Sequence, residues 1–270
     1  MPSLYDQWAE IYDSVYSYVQ SDIPFYSNHA SELGGPVMEL GCGTGRISLA
    51  LAQTGIDVVG VDSSPEMLRI AQNKIPDLSA NGGSVSFIEA DMRNMTLTDR
   101  DVPQSYNLII LPFRTFLSLL SLADQIQTLN NIIRHIAPGG KLIFDIFVPD
   151  INMLTSEGDL PYHFRDVTDP ETGLKWVLWH QSRYDNYNQI IDARVIAEQL
   201  DVNGFVSKKF YRDFQLRYIH IWEMHHLLEL CGYEIIDIYG DFEFTPFDEN
   251  STEMVFVVKP KSYVTNHDSS

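Results

Sequence analysis

The feature that most constrains this chain is the segment VMELGCGTGRISLALA, which covers residues 37–52. A strand pattern at Val37–Leu40 leads into a turn with glycines at 41, 43 and 45, and a helical pattern begins at Arg46. Glycine lets the backbone turn sharply and lets a ligand approach without meeting a Cβ. Because the N-terminus of the next helix points its N–H groups toward that ligand, the segment predicts a strand, a turn and a helix that form a binding site.

An acidic residue ends the next predicted strand. Asp62 closes an apolar run at residues 56–61 and follows Gly41 by about 20 residues, the spacing at which an acid accepts hydrogen bonds from ribose hydroxyls in doubly wound folds. The glycine turn and this acid together predict a ligand that contains adenosine.

Two classes of adenosine ligand compete for this site. The fingerprint of NAD and FAD sites, G-x-G-x-x-G, requires a glycine at position 46, where this chain has Arg46. Glu39 stands just before the turn, where a carboxylate repels a pyrophosphate but tolerates a ligand with an ammonium and a sulfonium. Both observations favour a methyl donor over a dinucleotide, and a tight turn without any ligand is the third interpretation.

Strands and helices alternate along most of the chain. Strands are predicted at residues 37–40, 56–61, 85–89, 106–111, 141–147, 233–239 and 253–258, and helices at 46–53, from Pro65 onward, at 123–136 and at 221–230. Helical spacing also covers residues 3–33, with a break at Pro24. The alternation predicts an α/β fold with a parallel sheet covered on both faces.

A different pattern interrupts this alternation. Residues 174–184, 189–201 and 205–218 alternate apolar and polar side chains, and turn residues separate them. This predicts an antiparallel β insertion between the fifth strand and the following helix. The expected organisation is N-terminal helices at 1–33, an α/β domain at 34–149 and 219–260, the insertion at 150–218, and a disordered tail at 261–270.

Five segments resemble the class I S-adenosylmethionine-dependent methyltransferases, and the likeness covers most of residues 1–260. The segments are ELGCGTGR, VDSSPEMLRIA, IEADMRNM, NLIILPFRTFLSL and IIRHIAPGGKLIFDIF. The resemblance implies a Rossmann-like seven-stranded sheet whose last strand is antiparallel. The insertion is similar to that of small-molecule N-methyltransferases, including those that act on amino sugars.

The resemblance also implies a site for S-adenosyl-L-methionine and its product S-adenosyl-L-homocysteine. Gly41 and Gly43 would pass under the methionine moiety, Asp62 would bind the ribose, and Asp91 would bind the adenine amine. The full set of implied donor-binding residues is Tyr5, Tyr12, Glu39, Gly41, Cys42, Gly43, Asp62, Ser63, Met67, Ala90, Asp91, Met92, Leu111 and Phe113. Simple core packing is the alternative for the two methionines, and helix packing for the two tyrosines, which would close over the donor.

The acceptor is expected beneath the aromatic-rich insertion, at the carboxyl edge of the sheet. The candidate catalytic residues are His180, His220 and Tyr184, and the candidate substrate-binding residues are Arg114 and Tyr218. Methyl transfer to a small-molecule amine is the leading hypothesis, with cation–π contacts to the acceptor. The alternatives are O-methylation of a natural product with a histidine base, donor binding without catalysis, and methylation of a protein.

The amino-acid composition restricts the binding partners that we expect. The formal net charge of −19 repels nucleic acids, and the cluster Lys208, Lys209, Arg212 and Arg217 is interpreted as a solvated strand face. A signal peptide, a membrane span and a metal site are not expected. The two distant cysteines suit a cytoplasmic location, and the insertion offers a surface for a homodimer.

Overall fold

The computed structural model describes residues 5–75, 82–96, 102–155 and 160–261. The helices are a short 3-10 helix at Asp6–Trp8, α1 (Ala9–Tyr16), α2 (Ile23–Leu33), α3 (Arg46–Gln53), α4 (Pro65–Asn73), a 3-10 helix at Thr115–Ser118, α5 (Leu122–Ile132), α6 (Ile151–Leu154) and α7 (Ile221–Leu230). The strands are β1 (Val37–Leu40), β2 (Val58–Asp62), β3 (Val85–Glu89), β4 (Tyr106–Leu111), β5 (Ile136–Phe147), β6 (Tyr162–Thr168), β7 (Lys175–Asp185), β8 (Ile190–Leu200), β9 (Val206–Arg217), β10 (Tyr233–Tyr239) and β11 (Glu253–Pro260).

Seven strands form the main sheet, in the order β10-β11-β5-β4-β1-β2-β3. Neighbours among β1 to β5 run parallel, whereas β11 is antiparallel to both β5 and β10. The predicted Rossmann-like sheet with an antiparallel last strand is therefore confirmed. The carboxyl ends of β1 and β2 lie side by side, because Leu40 pairs with Val61, so the residues that follow both strands meet at one edge.

Apolar side chains cover both faces of this sheet. Met38 and Leu40 contribute to a core on one face, and Val37 contributes to a second core with Phe25 and Ile47 on the other. This two-sided burial explains why the central strands are apolar along their length instead of alternating.

The predicted helix at 123–136 is wrong at its end. Helix α5 ends at Ile132, and Ile136 already begins β5. The strand register shifts between Tyr106 and Leu108, where the Pro138-Gly139-Gly140 segment lies opposite. A Cβ at Gly140 would lie 2.9 Å from the carbonyl oxygens of Tyr106 and Asn107. The glycines therefore form an irregularity within a strand and do not end the helix.

The predicted helix break at Pro24 is also misplaced. Pro24 lies in the first turn of α2, where its missing N–H is not needed. The chain instead leaves the helical path between Tyr16 and Ile23.

The insertion forms a separate four-stranded antiparallel sheet in the order β6-β7-β8-β9. It has one strand more than predicted, because β6 is largely exposed and shows no alternation of burial. The inner face packs on Trp8, Ile11 and Val15 of the N-terminal helices. Its location between β5 and α7 is as predicted, while the division of the chain into domains stays a prediction.

Residues 1–4 and 262–270, which include most of the predicted tail, lie outside the described residues. None of the helices that the structure describes is both long and apolar enough to cross a membrane.

Candidate donor and acceptor site

The glycine turn after β1 has the geometry that the sequence predicts. Gly41, Gly43 and Gly45 all have positive φ, at 71°, 54° and 80°. A Cβ at Gly41 would lie 2.4 Å from the Thr115 methyl carbon, whereas a Cβ at Gly43 would meet nothing within 4 Å. Gly41 is thus required by packing, and Gly43 borders the open space in which a ligand would lie.

Glu39 lies buried beneath this turn. Its Oε2 atom accepts hydrogen bonds from the Ser48 amide, at 2.8 Å, and from the Ser48 hydroxyl. Burial is the main cause that raises the pKa of Glu39 to about 8. A cationic ligand at the turn would compensate for the charge of the ionised form, which fits the ammonium of a methyl donor.

Asp62, at the end of β2, holds the turn in place. Its two carboxylate oxygens accept hydrogen bonds at 2.8 Å from the amides of Gly43 and Ser64. The carboxylate retains acceptor capacity for a hydroxyl group. Asp91, after β3, is paired at 2.5 Å with Arg93, which lowers the pKa of this carboxyl.

These groups line one cavity of about 630 Å³ that continues under the insertion. Most of the predicted site residues meet there, namely Tyr5, Tyr12, Glu39, Gly41, Cys42, Gly43, Asp62, Ser63, Met67, Ala90, Asp91, Met92, Phe113, Arg114 and His180. Open backbone at Gly43, the buried carboxyl of Glu39 and the carboxylate of Asp62 are the groups that would hold S-adenosylmethionine.

Comparison with known proteins agrees with this geometry. The family described as "Methyltransferase domain" matches residues 37–140. Cypemycin N-terminal methyltransferase from a Streptomyces species is 27% identical over 262 residues, which cover 96% of this chain and 98% of that protein. The CcbJ methyltransferase from Streptomyces caelestis has a TM-score of 0.79 and 25% identity, and the match covers 97% of this chain and 99% of that one.

The chain is an S-adenosylmethionine-dependent methyltransferase. The predicted family, enzyme class and methyl donor are thereby confirmed. CalS10, an amino pentose methyltransferase from Micromonospora echinaspora whose structure contains the bound donor, shares the fold, with a TM-score of 0.69 at 18% identity over 93% of this chain and 97% of that one.

Four predicted site residues of the methyltransferase do not line the cavity. Leu111 is fully buried in the sheet core, because it shares the face of Ile109 on β4. Tyr184 and Tyr218 pack around Leu154 in a separate apolar cluster. His220 immediately precedes α7 as its N-cap residue and makes an edge-to-face contact with the Tyr218 ring. The structure therefore does not bring these four residues to the cavity.

Arg114 lines the cavity, but its side chain is engaged within the protein. Its guanidinium pairs with Glu253 at 2.5 Å and lies over the ring of Phe147. This pairing argues against the predicted contact with an acidic group of the acceptor, because the charge of Arg114 is already matched within the protein.

The loop of Phe113 and Arg114 is held by Asp145. Both loop residues have positive φ, at 56° and 62°. Their amides donate to Asp145 at 2.8 and 3.0 Å, and the Tyr26 hydroxyl donates to it at 2.7 Å. Burial is the main cause that raises the pKa of Asp145 to about 6. This carboxylate keeps a strained loop at the cavity wall.

Aromatic rings, most of which the sequence did not indicate, complete the acceptor side. Tyr16 lies 4.7 Å from Tyr12 and 5.5 Å from Phe113 between ring centroids. Burial raises the pKa of Tyr12 and of Tyr16, so both hydroxyls stay protonated. The spacing of four residues between these tyrosines puts them on one helix face, and this signal was available in the sequence. Tyr18, Phe164 and Phe214 also line the cavity.

Arg46, the residue that replaces the dinucleotide glycine, anchors the N-terminal helices. Its guanidinium donates to both oxygens of Asp22, at 2.6 and 2.7 Å, and to the carbonyl of Val19 at 3.1 Å. The Thr44 hydroxyl donates to Asp13 at 2.6 Å. These contacts fix the tyrosine-bearing helix beside the donor turn, and no local pattern connects residues so distant in sequence.

In the part of the chain that the structure describes, no group of three or more histidine, cysteine or acidic side chains is arranged so that it could hold a metal ion.

Proposed function

We propose that this methyltransferase transfers a methyl group to the amine nitrogen of a small molecule. The observation that carries the proposal is the composition of the acceptor side. Among the described residues that the insertion and the N-terminal helices contribute to the cavity, His180 is the one imidazole, and no carboxylate is present. Burial lowers the pKa of His180 to about 4, so this ring is a weak base at neutral pH.

This composition suits an amine better than a hydroxyl group. When bound, S-adenosylmethionine supplies an electrophilic methyl group on a sulfonium. A neutral amine attacks through its own lone pair, whereas a hydroxyl group needs a base to remove its proton. Aromatic faces such as those of Tyr16 and Phe113 stabilise the positive charge that a methylated amine acquires. The protein then contributes mainly by excluding water and by orienting the acceptor.

Two similar proteins support an amine nitrogen as the acceptor. The cypemycin relative is named for methylation at an N-terminus, and CalS10 is described as an amino pentose methyltransferase. The cavity of about 630 Å³ suits a small molecule and is not filled by side chains. That open volume disfavours the alternative of donor binding without catalysis.

The test is a methyl-transfer screen with labelled donor against matched amines, amino sugars, amino acids and phenols. We expect transfer to amines, with a rate that rises with pH as the acceptor ammonium loses its proton. A rate that follows an enzyme group instead, or transfer to phenols alone, would overturn the nitrogen assignment. Calorimetric titration with S-adenosylhomocysteine is the control for an intact donor site. The cytoplasmic location and the homodimer through the insertion stay predictions.

A further inference from the structure

The arginines that line the cavity differ in how their charges are matched. Arg46 pairs with Asp22, Arg93 with Asp91, and Arg114 with Glu253. Arg212 also lines the cavity, but within the described ranges no carboxylate lies within ion-pair distance of it. The sequence interpretation of Arg212 as part of a solvated face is wrong, because the alternation along β9 turns its side chain inward.

Arg212 is buried and incompletely hydrogen-bonded. The residue is 6% exposed, and its Nε atom has no hydrogen-bond partner among the residues that the structure describes. One Nη atom donates to the Tyr16 hydroxyl at 3.4 Å, and the guanidinium also hydrogen-bonds to the Tyr5 side chain. The guanidinium lies 4.0 Å from the ring centroid of Tyr5 and 4.5 Å from that of Phe214. Aromatic faces stabilise a cation only in part, and a buried charge without a counterion is costly.

Strand pairing places this guanidinium on the acceptor side. Val195 of β8 pairs with Arg212 on one side and with His180 on the other, so all three lie in one row across the inner face of the insertion. Tyr16, which contacts Arg212, also contacts Phe113. The unmatched charge therefore lies next to the rings of Tyr16 and Phe113, beside which the amine is proposed to react.

We propose that Arg212 binds an anionic oxygen group of the acceptor, so that the substrates are small amines that also carry a carboxylate or a phosphate. The planar guanidinium presents a fork of N–H donors that matches either group. With a formal net charge of −19, the chain repels anions in general, and Arg212 supplies the local attraction. The inference rests on the proposed function for the identity of the amine, but the anion site is tested separately.

The first experiment measures anion binding without any acceptor. The full chain is saturated with S-adenosylhomocysteine, and its thermal midpoint is followed against acetate and against inorganic phosphate, at ionic strength held constant with chloride. We expect stabilisation of the wild-type protein, and an apparent Kd raised about tenfold or more in Arg212→Met. Arg194→Met is the matched control, because Arg194 pairs with Asp213 on the outer surface of the insertion. Equal anion affinity in the wild-type protein and Arg212→Met overturns the proposal.

The second experiment uses acceptor pairs that differ in the anionic group alone, glycine against methylamine and glucosamine 6-phosphate against glucosamine. We expect kcat/KM to favour the anionic member of one pair by about tenfold or more, and the preference to vanish in Arg212→Met. The pair that shows the preference distinguishes carboxylate from phosphate. Equal use of both members by the wild-type protein overturns the anion site and leaves nitrogen methylation intact.

A lack of methylation of any amine, combined with anion binding that depends on Arg212, overturns the proposed function and leaves the anion site standing. Arg212→Lys retains the charge without the fork and serves where Arg212→Met fails to fold. We expect Arg212→Lys to fall between the wild-type protein and Arg212→Met in anion affinity. If Arg212 instead only orders Tyr5, the affinity for S-adenosylhomocysteine changes in these variants while the preference for anionic acceptors does not, and that result overturns the proposal.

Discussion

The donor side and the acceptor side of the cavity are built in different ways. Backbone turns at the ends of β1, β2 and β3 form the donor side, where Gly41 and Asp62 act within short segments of chain. Side chains from the N-terminal helices, the β4 loop and the insertion form the acceptor side, where Tyr16, Phe113 and Arg212 meet from distant positions. The difference indicates that donor recognition depends on exact local conformation, whereas acceptor recognition depends on which side chains the fold brings together.

The largest effect is expected at the donor turn. In Gly41→Ala the new Cβ would overlap Thr115 and would require a positive φ. We expect affinity for S-adenosylhomocysteine to fall by about a hundredfold or more, since displacement of the turn removes several contacts together. Gly55→Ala is the control, because Gly55 also has positive φ but has open space at its Cβ. Calorimetry checks the prediction, and similar losses in both variants would show that strain alone is responsible.

A smaller effect is expected at the loop that joins the two sides. Asp145→Asn leaves one of the two amides of Phe113 and Arg114 facing an NH₂ group instead of an oxygen. We expect kcat to fall about tenfold or more, because the loop of Phe113 and Arg114 at the cavity wall would be misplaced. Donor affinity is expected to change less than threefold. Tyr26→Phe removes only the hydroxyl donor to Asp145 and is expected to destabilise the protein by about 1 kcal/mol. Steady-state kinetics and thermal unfolding measure the two effects, and an unchanged kcat in Asp145→Asn would refute the role of this carboxylate.

A further test concerns the pH dependence of the donor side. Because Glu39 has a pKa of about 8 in the folded protein, against 4.5 ordinarily, the donor-free protein binds an extra proton between these values and loses stability as pH rises through them. A cationic donor favours the ionised form of Glu39. We therefore expect proton release on binding at pH 7, and an affinity for S-adenosylmethionine that rises by up to about tenfold per pH unit until pH 8.

Calorimetry in two buffers of different ionisation enthalpy measures the released proton, and Glu39→Gln is the control without a titrating group. Proton release that persists in Glu39→Gln would assign the effect to another residue.

The smallest effect is expected on the acceptor side. His180 stacks on Phe164, with ring centroids 4.1 Å apart, and its lowered pKa keeps it neutral. We expect His180→Asn to change kcat/KM for an amine by less than about threefold, since no proton transfer through this ring is required. A loss of a hundredfold in kcat, with donor affinity unchanged, would instead support a histidine base and O-methylation.

Regular segments of the fold were predictable because their burial produces a clear pattern. The predicted bounds of β1, α3, β3, β4 and α7 match those observed, since each is a compact apolar or amphipathic segment between turn residues. Strand β6 escaped prediction because most of its side chains are exposed. The end of α5 was predicted wrongly because the turn residues Pro138-Gly139-Gly140 were interpreted as the end of the helix. Only the pairing with the neighbouring strand shows that they form an irregularity within β5.

The sequence by itself determined the donor class, through Glu39, the glycine turn, Arg46 and Asp62, because these groups act within one strand–turn–helix unit and the strand beside it. It could not determine which side of β4 carries Leu111, that Arg114 pairs with Glu253, or that Arg212 faces the cavity. Those facts depend on strand register and on packing between segments that lie far apart in the chain. Tertiary structure therefore decided the acceptor side, because side chains from separate elements share a cavity only after the insertion has packed on the N-terminal helices.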